Sequence, residues 1–513
     1  MQKSTKDRKS KALQMLKKQK IRSLKDLDDY KLSVCHPDSA GIDLGSREIY
    51  VAINPEIAAE LDQPIVRTFS TFTSGLKECC EWLKYCGITD VSMESTSVYW
   101  KNIYDMLEDY GISPCLVNPR KFRMVPGRKT DVLDCQWLQT LHMYGLLSGS
   151  FVPQGHIRQL RSYMRFRNTL IKDRTRSIQR MQKNLVEMNL MLVNVISDIT
   201  GKTGLKIIEA ILAGERDGEA LAKFRHGGCH KSEEEIAEGL EGHYKEEQLY
   251  LLRLNYENFK HLDAQILKLD TQIAELLDSF PINEKEPSDK DAPEKPDSEH
   301  ENVQAADNKK KKRRHTSKND LRIKNLPEKL IKIAGTDLTS ITGLQSNTIL
   351  QIMAEVGTDM SKFPTAKHFA SYLGFVPRNK ITGGVIISSS TDRIKNPASQ
   401  AFRKVVPSLI RGKSALAAFY HRIVSKGATG KAIVAVCRKL AMIYYNTLVY
   451  GKEFVEKGAE DYKKKQKDRE RLLIARLARK HNLLVTESEF SFKKYLNFLC
   501  LGSGLGRTAS LGS

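Results

Sequence analysis

The chain has 513 residues, 40% of them hydrophobic, enough for several domains with buried cores. Lys and Arg number 83 against 61 Asp and Glu, a net charge of +22. That excess favours a polyanionic partner, and the lack of a run of about 18 apolar residues argues against a membrane-spanning protein.

The N-terminal segment "MQKSTKDRKSKALQMLKKQK" is basic and lacks the apolar core of a secretory signal. Residues 1–38 therefore read as a basic arm, either solvated or bound to nucleic acid. Nine scattered cysteines, with no CxxC pair, suit structural roles in a reducing cytoplasm.

Residues 39–150 alternate in a way that predicts an α/β domain with a mixed central sheet. "AGIDLGSREIYVAIN" reads as a strand, a tight turn near Gly45-Ser46 and a return strand, and "PIVRTFSTF" as a third strand. "SGLKECCEWLKYCGI" has helical spacing, "DVSMEST" is a short buried strand, "SVYWKNIYDMLEDYG" is a helix closed by Gly111, and "SPCLVNP" is another strand. A helix starts near Asp131, with Thr130 as its cap.

From about His156 the apolar period lengthens. Ile157, Leu160, Met164, Ile171, Ile178, Met181, Leu185 and Met188 follow three–four spacing, with Arg167 and Arg174 on the same seam. A second seam holds Leu252, Phe259, Leu262, Ile266, Leu269, Ile273 and Leu276. Region 151–282 is thus expected to be a helical hairpin or a dimerising coiled coil, with the two seam arginines facing a partner or nucleic acid. Residues 283–325, which contain "KKKKRR", have too little apolar content to fold and read as a disordered charged linker.

Order resumes over 326–457. "LTSITGLQSNTILQIMAEVG" predicts a short helix, a Gly-containing turn and a second helix, a hairpin able to present N–H groups to phosphates. "RNKITGGVIISSST" predicts a β-hairpin around Gly383-Gly384, and helices follow. The tail, 458–513, begins as a basic helix.

Four carboxylates stand out in the α/β domain. Asp43 lies in the first strand, Glu94 ends a short buried strand, and Asp131 and Asp134 share one face of the next helix. Neighbouring strands and a helix packed on that edge would bring all four together. Bare carboxylates so placed repel, and divalent cations remove the repulsion. Oxygen ligands suit Mg²⁺, with Mn²⁺ as an alternative, and two ions about 4 Å apart serve phosphodiester cleavage. Arg120, Lys121, Arg123, Arg128 and Lys129 just precede the two aspartates and would hold the nucleic-acid backbone.

The stretches "GIDLGSREIYVAI", "SMESTSVYWKNIYDMLEDYGISPCLVNPRKFR" and "GRKTDVLDCQWL" resemble the RuvC-like domain of DEDD-type insertion-sequence transposases, the group related to the Piv DNA invertase. "IAGTDLTSITGLQSNTILQIMAEVG", "FASYLGFVPRNKITGG" and "RIKNPASQAFRKVV" resemble their C-terminal transposase domain. The resemblance implies an α/β RuvC-like (RNase H-like) N-terminal domain, a helical coiled-coil middle region and a mostly α C-terminal domain. It places the acidic quartet on Asp43, Glu94, Asp131 and Asp134. It also implies a DNA recombinase that works with a covalent hydroxyl nucleophile and a structured guide RNA. The protein would be a homo-oligomer, a dimer or a tetramer on DNA, in the cytoplasm at the nucleoid.

The family's serine position is occupied here by Thr382, five residues after Pro377, whereas Ser388, Ser389 and Ser390 lie just downstream as alternatives. Two other readings stay open at this stage: a junction-resolvase-like endonuclease using the same carboxylates, and a non-catalytic nucleic-acid-binding protein.

Overall fold

A computed structural model describes residues 33–95, 98–118, 130–153, 155–281, 317–391, 396–425, 427, 429–451 and 458–481. The chain divides into two units, residues 1–152 and 153–513.

The first unit runs β1 (Ser39–Leu44), β2 (Glu48–Ile53), α1 (Pro55–Glu60), β3 (Val66–Ser70), α2 (Thr73–Tyr85), β4 (Asp90–Glu94), α3 (Trp100–Asp109), β5 (Ser113–Val117) and α4 (Asp131–Met143). The strands form one sheet in the order β3-β2-β1-β4-β5. β1–β2 and β2–β3 pair antiparallel, and β1–β4 and β4–β5 pair parallel. Among the described residues of this unit, α1 is the element that the sequence reading did not include. Asn54 nucleates it by accepting a hydrogen bond from the Glu56 N–H, with Pro55 pre-set at the first helical position.

Strand periodicity sorts β1 between two faces. Ala40, Ile42 and Leu44 enter a core with Val91 and Met93 of β4, Cys79, Cys80 and Leu83 of α2, and Ile103 and Leu107 of α3. Gly41 and Asp43 point to the other face, which α4 covers. A Cβ on Gly41 would lie 2.3 Å from the Cys135 carbonyl oxygen and 2.4 Å from the Gln139 nitrogen. The missing side chain is what lets the α4 backbone rest directly on β1. Ser92 of β4 faces the same way, and its buried hydroxyl donates to the Leu138 carbonyl at 3.2 Å.

The second unit starts with two 33-residue helices, α5 (Gly155–Glu187) and α6 (Glu246–Asp278), joined through short helices at Leu192–Val195, Lys202–Ala213, Gly218–Ala222 and Glu233–Glu238. α5 and α6 pack antiparallel: Arg167 meets Asp270, Arg174 meets Asp263, and Asn184 meets Gln248. The two apolar seams therefore close on each other within one chain, the hairpin alternative of the two read from the spacing.

The helices α7 (Leu326–Ala334), α8 (Ser346–Val356), α9 (Pro397–Leu409), α10 (Ala415–Val424), α11 (Thr429–Tyr450) and α12 (Gly458–Lys480) follow, with a β6 (Pro377–Thr382)–β7 (Val385–Thr391) hairpin among them. The short-helix, turn, helix pattern is present: a 3-10 turn at Leu338–Ser340, Gly343 at φ +90°, then α8. α11 is long and apolar enough to cross a membrane by length and composition. Its Ala432, Val436, Leu440, Tyr444 and Leu448 are buried among neighbouring helices, as in the core helix of a folded domain.

Residues 317–325 correct the expected extent of the charged linker, whose residues 283–316 lie outside the described ones. The Asn319 and Asp320 carbonyls accept from Arg167, the Asn319 side chain accepts from Arg174, and Arg322 pairs with Asp263. Buried guanidinium groups with spare donors hold this segment on the helical hairpin, although its own composition is polar.

Candidate active site

Two facts about β-structure bring the carboxylates together. β1 and β4 run parallel in register Ile42 to Met93, so Asp43 and Glu94 sit side by side at the C-terminal ends of neighbouring strands. Asp43 follows Gly41 by two residues and Glu94 follows Ser92 by two, so both lie on the α4 face. On α4, Cys135 is in contact range of Gly41, and Asp131 stands one turn earlier on the same side. Thr130 caps the helix, its hydroxyl accepting from the Leu133 N–H at 3.3 Å. The cap fixes where the first turn begins, and the helix N-terminus favours the two aspartates placed in it.

The four carboxylates act on one another electrostatically. The Asp43 carboxyl is raised from 3.8 to about 6, first by burial and then by the charges of Asp131, Asp134 and Glu94. Among the described residues the lowering influence is the Leu44 N–H, which donates to it at 3.1 Å. Four hard oxygen donors that repel one another fit a divalent cation of the Mg²⁺ type, because bound charge removes the repulsion that raises Asp43. Glu94 and Asp134 are half-buried and Asp131 is exposed, so the cluster opens to solvent on one side.

The other expected site residues fall in different places. Arg120, Lys121, Arg123, Arg128 and Lys129 lie outside the described residues. Thr382 ends β6 at an exposed hairpin tip, opposite Val385, with Gly383 and Gly384 at φ +58° and +81° forming the turn. Both glycines are needed there, since side-chain-bearing residues rarely hold positive φ. Ser388, Ser389 and Ser390 lie in β7, opposite Lys380, Asn379 and Arg378, with an irregularity between Lys380 and Ile381 that shifts the register toward the tip.

Arg167 and Arg174 require a correction. Both are buried, 4% and 5% exposed, rather than facing nucleic acid. Arg167 donates from Nε to Asp270 at 2.5 Å, and Arg174 is paired with Asp263. The remaining donors go to the Asn319 and Asp320 carbonyls from Arg167 and to the Lys318 carbonyl and Asn319 side chain from Arg174, so both guanidinium groups are engaged within the chain. These arginines sit in the seam because acids at matching positions of the second helix neutralise them.

Three residues escaped the sequence reading. Gly41 sets how near α4 comes to β1. Ser92 ties β4 to α4. Tyr50 pairs directly with Asp43 across β1–β2. Its phenol is raised by Glu48 first, with smaller effects from Asp131 and Asp43, which places it beside the carboxylates. Small residues two positions before each strand carboxylate were the available signal for the first two.

A mixed sheet in the order β3-β2-β1-β4-β5, with carboxylates ending two central strands and opening a covering helix, is the arrangement expected of a RuvC-like (RNase H-like) domain. Residues 40–190 match a DEDD-type family model described as transposase, and residues 335–421 match that of the transposase IS116/IS110/IS902 family. The resemblance to DEDD-type insertion-sequence transposases thus holds over two separate segments. Curated relatives include the pilin gene-inverting proteins of Moraxella bovis and Moraxella lacunata, each 31% identical over 121 residues. The match spans 23% of this chain and 37% of each relative.

Proposed function

We propose that this chain is a DNA recombinase that moves an insertion sequence by divalent-cation-dependent cleavage and exchange of DNA strands. The observation that carries the reading is the convergence of Asp43, Glu94, Asp131 and Asp134, with Asp43 raised to about 6 by burial first and then by the charges of the other three. Cations held by these carboxylates, two per site and Mg²⁺ or Mn²⁺, would supply charge stabilisation to a reacting phosphodiester. The net charge of +22 supports binding to the DNA backbone, with Arg120, Lys121, Arg123, Arg128 and Lys129 next to the site in sequence.

Strand exchange must conserve the broken phosphodiester, and a protein hydroxyl does so by ester formation. Thr382 is the proposed nucleophile. Its Oγ1 attacks phosphorus and gives up its proton, and the displaced deoxyribose oxygen leaves as a hydroxyl. A second strand's hydroxyl then attacks the ester and regenerates threonine. Exposure at a glycine turn lets a strand approach it. A structured RNA encoded by the element is proposed as the guide, and self-association as the working state, both on the family resemblance.

The test is adduct trapping on cognate element ends with Mg²⁺. A covalent protein–DNA species mapping to Thr382, absent in Thr382→Val and retained in Thr382→Ser, is expected. An adduct on Ser388, Ser389 or Ser390 moves the role downstream. Hydrolysed ends with no adduct favour a resolvase-like nuclease.

A further inference from the structure

The first unit holds a second group of ligating side chains at the opposite end of β4 from the quartet. Asp90 is the first residue of β4 and Glu94 the last. Beside Asp90 lie His36, from the segment entering β1, and His142, from the last turn of α4. One ligand atom from each of the three lies within 4.8 Å of the others. The two imidazoles are stacked, with centroids 4.7 Å apart and planes 5° from parallel, and His36 Nδ1 is 3.9 Å from Asp90 Oδ2.

The three ligands are held by backbone contacts rather than by chance surface proximity. The Cys35 and His36 N–H groups both donate to the Met143 carbonyl, at 2.8 and 3.0 Å, fixing the entering segment to the end of α4. The Asp90 N–H and the Thr89 N–H both donate to the Asp38 carbonyl, and the Thr89 hydroxyl donates to Asp90 Oδ2 at 3.1 Å. That hydroxyl is the kind of outer partner that orients a ligating carboxylate.

One atom is unexplained by packing. His142 is 5% exposed, and its Nε2 is buried without a hydrogen-bond partner. Buried polar nitrogens are almost always satisfied, and an orphan beside a second imidazole and a carboxylate is what a ligand nitrogen looks like before its ion is added.

We propose that His36, Asp90 and His142 form a transition-metal site of the Zn²⁺ class, separate from the carboxylate quartet. Two imidazoles and one carboxylate suit Zn²⁺, Co²⁺ or Ni²⁺, whereas four carboxylates suit Mg²⁺. Three protein ligands and a water complete a tetrahedron. With bonds of about 2 Å, tetrahedral donors stand roughly 3.3 Å apart, so no pair of ligand atoms need close by more than about 1.5 Å on binding. His36, the more accessible of the two rings, can rotate to supply that movement. The consequence is mechanical: the ion staples the C-terminal end of α4 to β4 and the entering segment. The same helix carries Asp131 and Asp134 at its other end, so the staple fixes the helix on which half the quartet stands.

Co²⁺ titration of untagged, chelator-stripped full-length protein tests this through the visible absorption of tetrahedral Co²⁺. One tetrahedral, strongly absorbing Co²⁺ per chain is expected, displaced by Zn²⁺ and not by millimolar Mg²⁺. Binding should weaken at least tenfold in His36→Ala and in Asp90→Asn, both partly exposed positions that leave the fold intact by circular dichroism. It should be unchanged in Asp131→Ala. No absorption, absorption that persists in His36→Ala, or absorption lost in Asp131→Ala would overturn the site. A sulfur-to-cobalt charge-transfer band lost in Cys35→Ser would overturn the nitrogen–oxygen ligand set.

Discussion

Asp43→Asn should stabilise the metal-free protein while abolishing DNA cleavage. Asp43 binds its proton more tightly in the folded chain, at about 6, than at the ordinary value of 3.8. The fold therefore loses stability as pH rises from about 4 through about 6, and carries the full penalty above that. At face value a gap of about two units is worth ~3 kcal/mol. The carboxyl is only half-buried, and solvent screening reduces this to roughly 1–2 kcal/mol. Asparagine keeps the shape, and its Oδ1 can still accept from the Leu44 N–H, so the removed charge dominates. For a domain of this size 1 kcal/mol moves Tm by about 2–4 °C. Thermal melts in EDTA should show Asp43→Asn several degrees above wild type at pH 8 and equal to it near pH 4. Added Mg²⁺ should raise the wild-type Tm and leave that of the variant nearly unmoved. A variant less stable than wild type at pH 8, or one that Mg²⁺ stabilises equally, would show that the carboxylates neither repel nor share a cation.

Gly41→Ala places a methyl 2.3 Å from the Cys135 carbonyl, so α4 must shift; a Tm drop and a cleavage loss of at least tenfold are expected, checked by melts and a nicking assay. Arg167→Met strands Asp270, which is 1% exposed, and should cost about 3–5 kcal/mol in urea unfolding, most of it recovered in the Arg167→Met, Asp270→Leu double variant. Deleting 286–312 should leave Tm nearly unchanged, whereas extending the deletion through 322 should lower it by several degrees, because Arg167 and Arg174 lose the acceptors at 318–320. Asp131→Ala should leave DNA affinity, measured by anisotropy, within a few-fold of wild type, since the basic residues supply it.

The sheet was legible because β1, β2 and β4 alternate or run apolar for strand length between clear turns. Asp43, Glu94, Asp131 and Asp134 were legible as chemistry, and helix spacing put the last two on one face. Their closeness to one another depends on Gly41, which shows its purpose only when the α4 backbone is laid against it. Arg167 and Arg174 misled because a charge in an apolar seam reads as unmet. Asp263 and Asp270, nearly ninety and just over one hundred residues away, neutralise them, and no local pattern pairs those positions. Residues 317–325 look like linker by composition, yet they fold onto a neighbour that needs their carbonyls. The His36, Asp90 and His142 group is spread over more than one hundred residues with no motif spacing, so only the tertiary fold assembles it.

The most direct measurement is metal-dependent nicking of supercoiled element DNA by wild-type protein and by the four single variants Asp43→Asn, Glu94→Gln, Asp131→Asn and Asp134→Asn, each shown to be folded and to bind DNA. Cleavage in Mg²⁺ or Mn²⁺ that falls at least a hundredfold in every variant is the expected result. Wild-type cleavage that persists in EDTA, or any one variant that cuts at the wild-type rate, would contradict a shared four-carboxylate site.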